Sequence, residues 1–164
     1  MANEEWRKVA DEADLKLNRP LKVTVAEDEI LLVRTEEGIC AVGNSCTHYG
    51  APLTDGAVCG NEVTCPWHNS RFDLTNGLLT SPPALDNVPQ YPLKVEDGAV
   101  YIGRPKTLSI PAPEGHDDRT FVIVGAGAAG NAAAEQLRRD GFAGRIVMIT
   151  AEGHVPYDRP NLSK

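Results

Sequence analysis

Apolar residues in the first two thirds of the chain come in short runs, Leu21 to Val25, Ile30 to Val33, Ile39 to Val42, Glu62 to Cys65 and Leu93 to Ile102, with turn residues between them. Runs of this length and spacing predict strands. Glu36-Glu37-Gly38 and Asp97-Gly98 fall where hairpins would reverse, because glycine accepts the positive φ of a tight turn. A small antiparallel β-domain over residues 1–104 is expected, with Asp11, Glu12 and Asp14 as solvated surface.

The pattern then changes. Residues 105–119 hold three prolines, a glycine and a His-Asp-Asp run, and read as a linker. Thr120 to Val124 is a β-branched run too short for a helix, followed at once by Gly125-Ala-Gly-Ala-Ala-Gly130. From Ala126 to Arg139 the composition favours helix, Gly141 and Gly144 end it, and Arg145 to Thr150 reads as a second strand. Strand, glycine turn, helix and strand make the opening of a Rossmann-like dinucleotide-binding unit over residues 120–164. In that setting Gly125 permits the turn, Gly127 admits a pyrophosphate and Gly130 lets helix and strand approach. The phosphates would face the free amides of the helix start. Glu152, 27 residues after Gly125, stands where an acid can accept hydrogen bonds from a ribose diol.

Composition narrows the function classes. The 164 residues include 23 acidic and 16 basic side chains, a net charge of -7. Nucleic acid is not an expected partner, since counterion release needs clustered Lys and Arg. No run reaches the roughly 18 to 20 apolar residues of a membrane span, and the opening residues lack the pattern of a signal peptide. The expected location is cytoplasmic. The whole net charge sits before position 105, where 16 acids meet 9 bases; after it there are 7 of each.

In a reducing compartment the four cysteines are not expected to form disulfides. Cys40 and Cys59 lie in apolar strand-like settings and read as small buried residues. Cys46 and Cys65 differ, because each has a histidine close behind it, in Cys46-Thr47-His48 and Cys65-Pro66-Trp67-His68. The pattern is C-x-H, sixteen residues, C-x-x-H. A Cys2His2 zinc site is one reading, although structural zinc loops usually pair like ligands. A 2Fe-2S cluster with both thiolates on one iron and both imidazoles on the other suits the mixed loops better.

Cys46-Thr-His-Tyr-Gly-Ala-Pro-Leu53 and Cys65-Pro-Trp-His-Asn-Ser-Arg-Phe-Asp73 resemble the two cluster loops of the Rieske ferredoxin family. The similarity runs from Trp6-Arg7-Lys8-Val9 through Ser81-Pro82-Pro83-Ala84-Leu85 to the closing hairpin at Tyr91 to Gly103. It implies an all-β Rieske-type fold and single-electron transfer, with Cys46 and Cys65 on the inner iron, His48 and His68 on the outer one, and the imidazole edge as electron exit. No general acid, base or nucleophile is required. High-potential relatives clip the loops with two extra cysteines, where this chain has Ala51 and Trp67, and carry a tyrosine where it has Phe72; Ser70 keeps the position of their serine donor. The resemblance therefore implies a potential in the lower half of the roughly -150 to +300 mV Rieske range. Pro66, Gly50 and Gly60 read as loop and turn residues and Trp67 as packing beside the cluster, with no role for His116 or His154.

Residues 152–164, Glu-Gly-His-Val-Pro-Tyr-Asp-Arg-Pro-Asn-Leu-Ser-Lys, resemble the segment after the second strand in FAD-dependent ferredoxin reductases and relatives of apoptosis-inducing factor. This implies FAD contacts for Gly125, Gly127, Gly130 and Glu152, with Arg159 and Lys164 as additions near the pyrophosphate or flavin ring. It also implies NAD(P)H as hydride source at a later domain, and a redox protein or oxygenase as electron acceptor. One helix and two strands are less than one half of a dinucleotide fold, so the sequence reads as the front of a longer reductase that binds FAD weakly or not at all by itself. The alternatives are a stand-alone ferredoxin carrier with a vestigial tail and a zinc module.

Overall fold

A computed structural model of the chain describes residues 6–108 and 114–156. Contacts divide the chain into two compact units, Met1–Ser109 and Ile110–Lys164.

The strands of the first unit are, in chain order, β1 (Arg7–Asp11), β2 (Leu21–Val25), β3 (Asp28–Thr35), β4 (Gly38–Gly43), β5 (Ala57–Cys59), β6 (Glu62–Thr64), β7 (Arg71–Asp73), β8 (Leu79–Ser81), β9 (Leu93–Glu96) and β10 (Ala99–Ile102). They form three antiparallel sheets, ordered β1-β10-β9, β2-β3-β4 and β5-β6-β7-β8. The β9-β10 hairpin turns on Asp97 and Gly98, with φ of 50° and 73°, the pair of positive values that a two-residue hairpin loop demands. Gly38, at φ 145°, opens β4 opposite Thr35.

β3 explains the sequence run at Ile30 to Val33, because all four side chains are fully buried. Leu31 and Val33 face one core with Val42, Cys46, Leu53, Val63, Cys65, Phe72 and Leu74. Ile30 and Leu32 face the other, with Leu15, Ala41, Tyr91, Val100 and Ile102. A strand buried on both faces loses the polar alternation of a surface strand. Each such side chain contributes about 1.5 to 3 kcal/mol through burial, so β3 anchors both halves of the unit.

Several expectations need correction. Cys59 is exposed at the β5-β6 turn and Cys40 is half-buried, so neither is fully enclosed. Glu12 is not merely solvated: it pairs with Arg34 at 2.6 Å. β1, β5, β7 and β8 lack long apolar runs. The last three are three residues each, and cross-strand partners, not their own pattern, hold them extended. Paired backbone also continues past position 104, where Lys106 and Gln90 exchange two hydrogen bonds of 2.7 Å.

The described part of the second unit is β11 (Thr120–Val124), α1 (Ala128–Arg139) and β12 (Arg145–Ile149). β11 and β12 are parallel, registered from Thr120 opposite Arg145 to Val124 opposite Ile149. The helix ends on a Schellman motif: Phe142 N–H donates to Leu137 O at 2.9 Å and Gly141 N–H to Arg138 O at 3.1 Å, with Gly141 at φ 82°. Phe142 then stacks edge-on against Phe121, ring centroids 4.8 Å apart. Val122, Val124 and Ile149 remain exposed on the short sheet. Parallel sheets are normally covered on both faces, so this is less than a complete dinucleotide-binding domain.

Candidate metal centre and dinucleotide turn

Two loops bring the four predicted ligands together, and they close in the same way. In the first, Cys46 N–H donates to Ala51 O at 2.9 Å while Gly50 N–H donates back to Cys46 O at 2.8 Å. In the second, Cys65 N–H donates to Ser70 O at 2.8 Å while Asn69 N–H donates back to Cys65 O at 3.1 Å. The fifth residue of each loop takes a left-handed conformation, Gly50 at φ 76° and Asn69 at φ 63°. Glycine and asparagine are the residues that adopt it most readily. Each cysteine thus starts a tight turn that returns its histidine to the same end of the unit.

Burial separates the two donor types. Cys46 and Cys65 are 2% and 1% exposed and belong to the core; His48 is half-buried and His68 exposed. The imidazoles meet, with Nδ1 of His48 3.2 Å from Nδ1 of His68. Two nitrogens bound to one tetrahedral metal at 2.0 to 2.1 Å would stand about 3.3 Å apart, so this spacing fits a shared iron. Burial raises the Cys46 thiol pKa, and the neighbouring Cys65 adds to the shift. A positive metal centre would reverse that preference and hold both as thiolates.

The donors form a buried pair and a surface pair. A mononuclear zinc site needs four donors around one ion, whereas a binuclear cluster needs two at each end. The donor set fits the cluster.

The proline-bearing segment ties both loops down. Thr47 Oγ1 donates to Asp86 O at 2.6 Å, and the buried Ser70 Oγ accepts Ala84 N–H at 2.9 Å. With its lone pair so engaged, the Ser70 hydroxyl proton is left to donate elsewhere, in keeping with the donor position implied by resemblance. Phe72 is fully buried and brings no hydroxyl. Trp67 is 57% exposed and stands edge-on to His68 at 6.4 Å, so it flanks the imidazoles without being packed away. Tyr49, given no role from the sequence, lies 4.1 Å from His48 and 5.7 Å from His68 between ring centroids. Asn44 was missed as well; its one signal is a polar residue ending the apolar β4 run two positions before Cys46.

In the second unit the three glycines have distinct physical reasons. Gly125 sits at φ 104°. A Cβ on Gly130 would fall 2.0 Å from Gly125 O, so only glycine lets the helix meet the turn. A Cβ on Gly127 would meet nothing within 4 Å, leaving open space at the N-cap of α1. Among the described residues no side chain caps that end, the kind of helix start whose amides can face an anion. Glu152 follows β12, its N–H donating to Thr150 Oγ1 at 3.1 Å, with His154 Nε2 3.7 Å from its carboxylate. Arg159 and Lys164 lie outside the described residues. Among the described residues no helix is long and apolar enough to cross a membrane.

Comparison with known proteins agrees in both units. Residues 5–92 match the Rieske [2Fe-2S] domain family and residues 119–164 the pyridine nucleotide-disulphide oxidoreductase family. Human apoptosis-inducing factor 3 is 39% identical over 164 aligned residues, 92% of this chain, but the chain spans only 27% of that protein's length. The ferredoxin component of the naphthalene 1,2-dioxygenase system of Pseudomonas putida is 36% identical over 97 residues, 59% of this chain and 93% of the ferredoxin. A solved complex of reduced oxygenase and oxidised ferredoxin in carbazole 1,9a-dioxygenase contains a chain that superposes with a TM-score of 0.60 at 27% identity, covering 65% of this chain and all of that one. With more than half of its length matched, the chain belongs to the Rieske [2Fe-2S] domain family, a family of 2Fe-2S electron-transfer domains, and continues into the start of a pyridine nucleotide-disulphide oxidoreductase segment.

Proposed function

We propose that residues 1–104 carry single electrons through a cluster held by Cys46 and Cys65 on the inner iron and His48 and His68 on the outer one. In this reading the domain serves an NAD(P)H-dependent flavoprotein reductase whose FAD site begins at residues 120–164, beyond the linker at 105–119. The observation that carries it is the pairing of two buried thiols with two surface imidazoles whose Nδ1 atoms are 3.2 Å apart. Bound cluster and flavin would supply the redox chemistry, and the chain supplies placement and tuning. The core around Cys46 and Cys65 excludes water from the inner end. His48 and His68 give the outer end an edge that a partner can approach. Gly125, Gly127 and Gly130 shape the turn at which the FAD pyrophosphate would rest, Glu152 would accept from its ribose, and Arg159 and Lys164 would add positive charge nearby.

The acceptor proposed is a redox protein or oxygenase, by analogy with the ferredoxin solved beside its oxygenase. Cys40 and Cys59, outside the ligand set, stand as free thiols, which suits the reducing, cytoplasmic setting proposed for such a carrier. A carrier reading without reductase activity draws on the naphthalene dioxygenase ferredoxin, most of whose length the first unit matches. Anaerobic purification decides the cluster: a red-brown chain with about two irons and two sulfides, and a low-average-g electron paramagnetic resonance signal after dithionite, is expected. A colourless zinc protein would overturn it. NADH- or NADPH-driven dye reduction by the full-length protein then separates reductase from carrier.

A further inference from the structure

Asn44 is fully buried, and all four of its polar backbone and side-chain groups are engaged. Its N–H donates to Glu29 O at 3.0 Å and its carbonyl accepts Leu53 N–H at 2.7 Å. Its side-chain Oδ1 accepts Thr54 N–H at 2.9 Å, and Nδ2 donates to Glu29 Oε2 at 3.3 Å. Leu53 and Thr54 close the loop that presents Cys46 and His48, while Glu29 sits on β3 and takes a 2.7 Å ion pair from Lys22 on β2. One asparagine therefore bridges the far end of the first cluster loop to a charged pair on the neighbouring hairpin.

The geometry points to Asn44 as a positioning residue for the cluster, with Glu29 as its support: the Glu29 carboxylate fixes the Asn44 amide, and the amide fixes the loop bearing Cys46 and His48. This rests on the ligand set proposed above. Chemistry requires both halves of the amide, since Oδ1 must accept from Thr54 while Nδ2 donates to a carboxylate. Aspartate keeps the acceptor but turns the other contact into two facing anions, one at the fully buried position 44 and the other the half-exposed Glu29 carboxylate. Serine or alanine leaves Thr54 N–H or the Glu29 carboxylate without this partner. Glu29 itself is held below the usual carboxylate range, first by Lys22 and next by Asn44, in keeping with an ionised acceptor. Asn44 touches no redox centre, so it acts through Cys46 and His48.

The test is a charge-complementary exchange in the full 164-residue chain: Asn44→Asp, Glu29→Gln and the two together. Hydrogen exchange at Thr54 and Leu53 reads the loop with or without metal, and cluster loss to a chelator and the paramagnetic g-values read the ligands. Because repulsion from Glu29 drives the new carboxylate away from Thr54 N–H, Asn44→Asp alone is expected to speed Thr54 exchange about tenfold or more, accelerate cluster loss by a similar factor and shift the g-values. The pair is expected to recover most of both, because the Gln amide can donate to the new carboxylate. Glu29→Gln alone should change little, as an amide oxygen still accepts from Asn44. Wild-type exchange in Asn44→Asp, or no recovery in the double variant, would overturn the proposal. So would a loaded Asn44→Asp chain that keeps wild-type g-values and cluster lifetime. A wild-type chain that never takes up iron and sulfide, yet shows the exchange pattern, would instead remove the cluster reading and leave Asn44 as the support of the loop.

Discussion

His48 and His68, twenty residues apart in sequence, place their Nδ1 atoms 3.2 Å from each other at the surface end of a core that encloses Cys46 and Cys65. The relationship depends on two turns of the same design, one carrying its histidine two residues after the cysteine and the other three. His48→Ala and His68→Ala are each expected to reduce bound iron and sulfide from about two of each to well under one. The domain should still fold, since neither ring belongs to the core. Iron and sulfide analysis alongside circular dichroism checks both statements.

The potential of the loaded domain is expected in the lower half of the roughly -150 to +300 mV Rieske range. Phe72 is fully buried in the same core as both cysteines and offers no hydroxyl. Phe72→Tyr should raise the potential by on the order of 50 mV if its hydroxyl reaches a cluster sulfur, because a donor stabilises the more negative reduced state. Protein-film voltammetry of both chains measures it. A wild-type value above about +200 mV would contradict the low-potential assignment.

Gly50 and Asn69 are equivalent residues of the two loops, both left-handed. A Cβ at Gly50 would meet nothing closer than Ser45 Oγ at 3.7 Å, so backbone strain and not space decides the outcome. Gly50→Asn is expected to keep the cluster at a cost under about 1 kcal/mol. Gly50→Val should cost about 1 to 3 kcal/mol and shorten cluster lifetime. Urea denaturation and chelator challenge distinguish them.

Gly127 and Gly130 give an opposed pair. Gly130→Ala forces a methyl group onto Gly125 O, and should loosen α1 in this chain, read as faster amide exchange along the helix. Gly127→Ala has room and an extended φ of -78°, and should leave the chain's stability unchanged within about 0.5 kcal/mol. In the full-length protein the same substitution is expected to lower FAD retention, since the pyrophosphate would approach there. Equal FAD retention in wild type and Gly127→Ala would remove that role.

Tyr91 has its hydroxyl pKa pushed up to about 12, by burial first and then by the Asp28 carboxylate that it faces. An unfolded tyrosine ionises near about 10. Below that value both states are protonated and the contribution is complete. As pH rises from about 10 to about 12 only the unfolded chain loses its proton, so stability falls by on the order of 2 kcal/mol and then levels. Tyr91→Phe should remove this part of the alkaline decline, seen as the difference between the two urea curves across that window.

The four candidate ligands and the strand-glycine-helix unit were legible in the sequence because their chemistry is local. A thiol two or three residues from an imidazole and three glycines at fixed spacing carry their reasons within one turn of chain. The hairpin at Asp97-Gly98 and the end of α1 at Gly141 were equally readable, each set by a φ that few residues tolerate. The Cys59 assignment failed because an apolar neighbourhood in sequence does not say which side of a three-residue strand faces out; here β5 is an edge strand paired only with β6.

What the sequence determined by itself was the kind of chemistry: donor types, their spacing, the glycine turn and the electron-transfer class these imply. The division into inner thiols and outer imidazoles was implied by the resemblance; only the tertiary structure decided which distant groups hold those residues, Asn44 against Glu29, Thr47 against Asp86 and Ser70 against Ala84. Ligand identity is a property of single residues. Burial and hydrogen-bond partnership arise from segments distant along the chain, fourteen to thirty-nine residues apart for these pairs, and no local pattern encodes them.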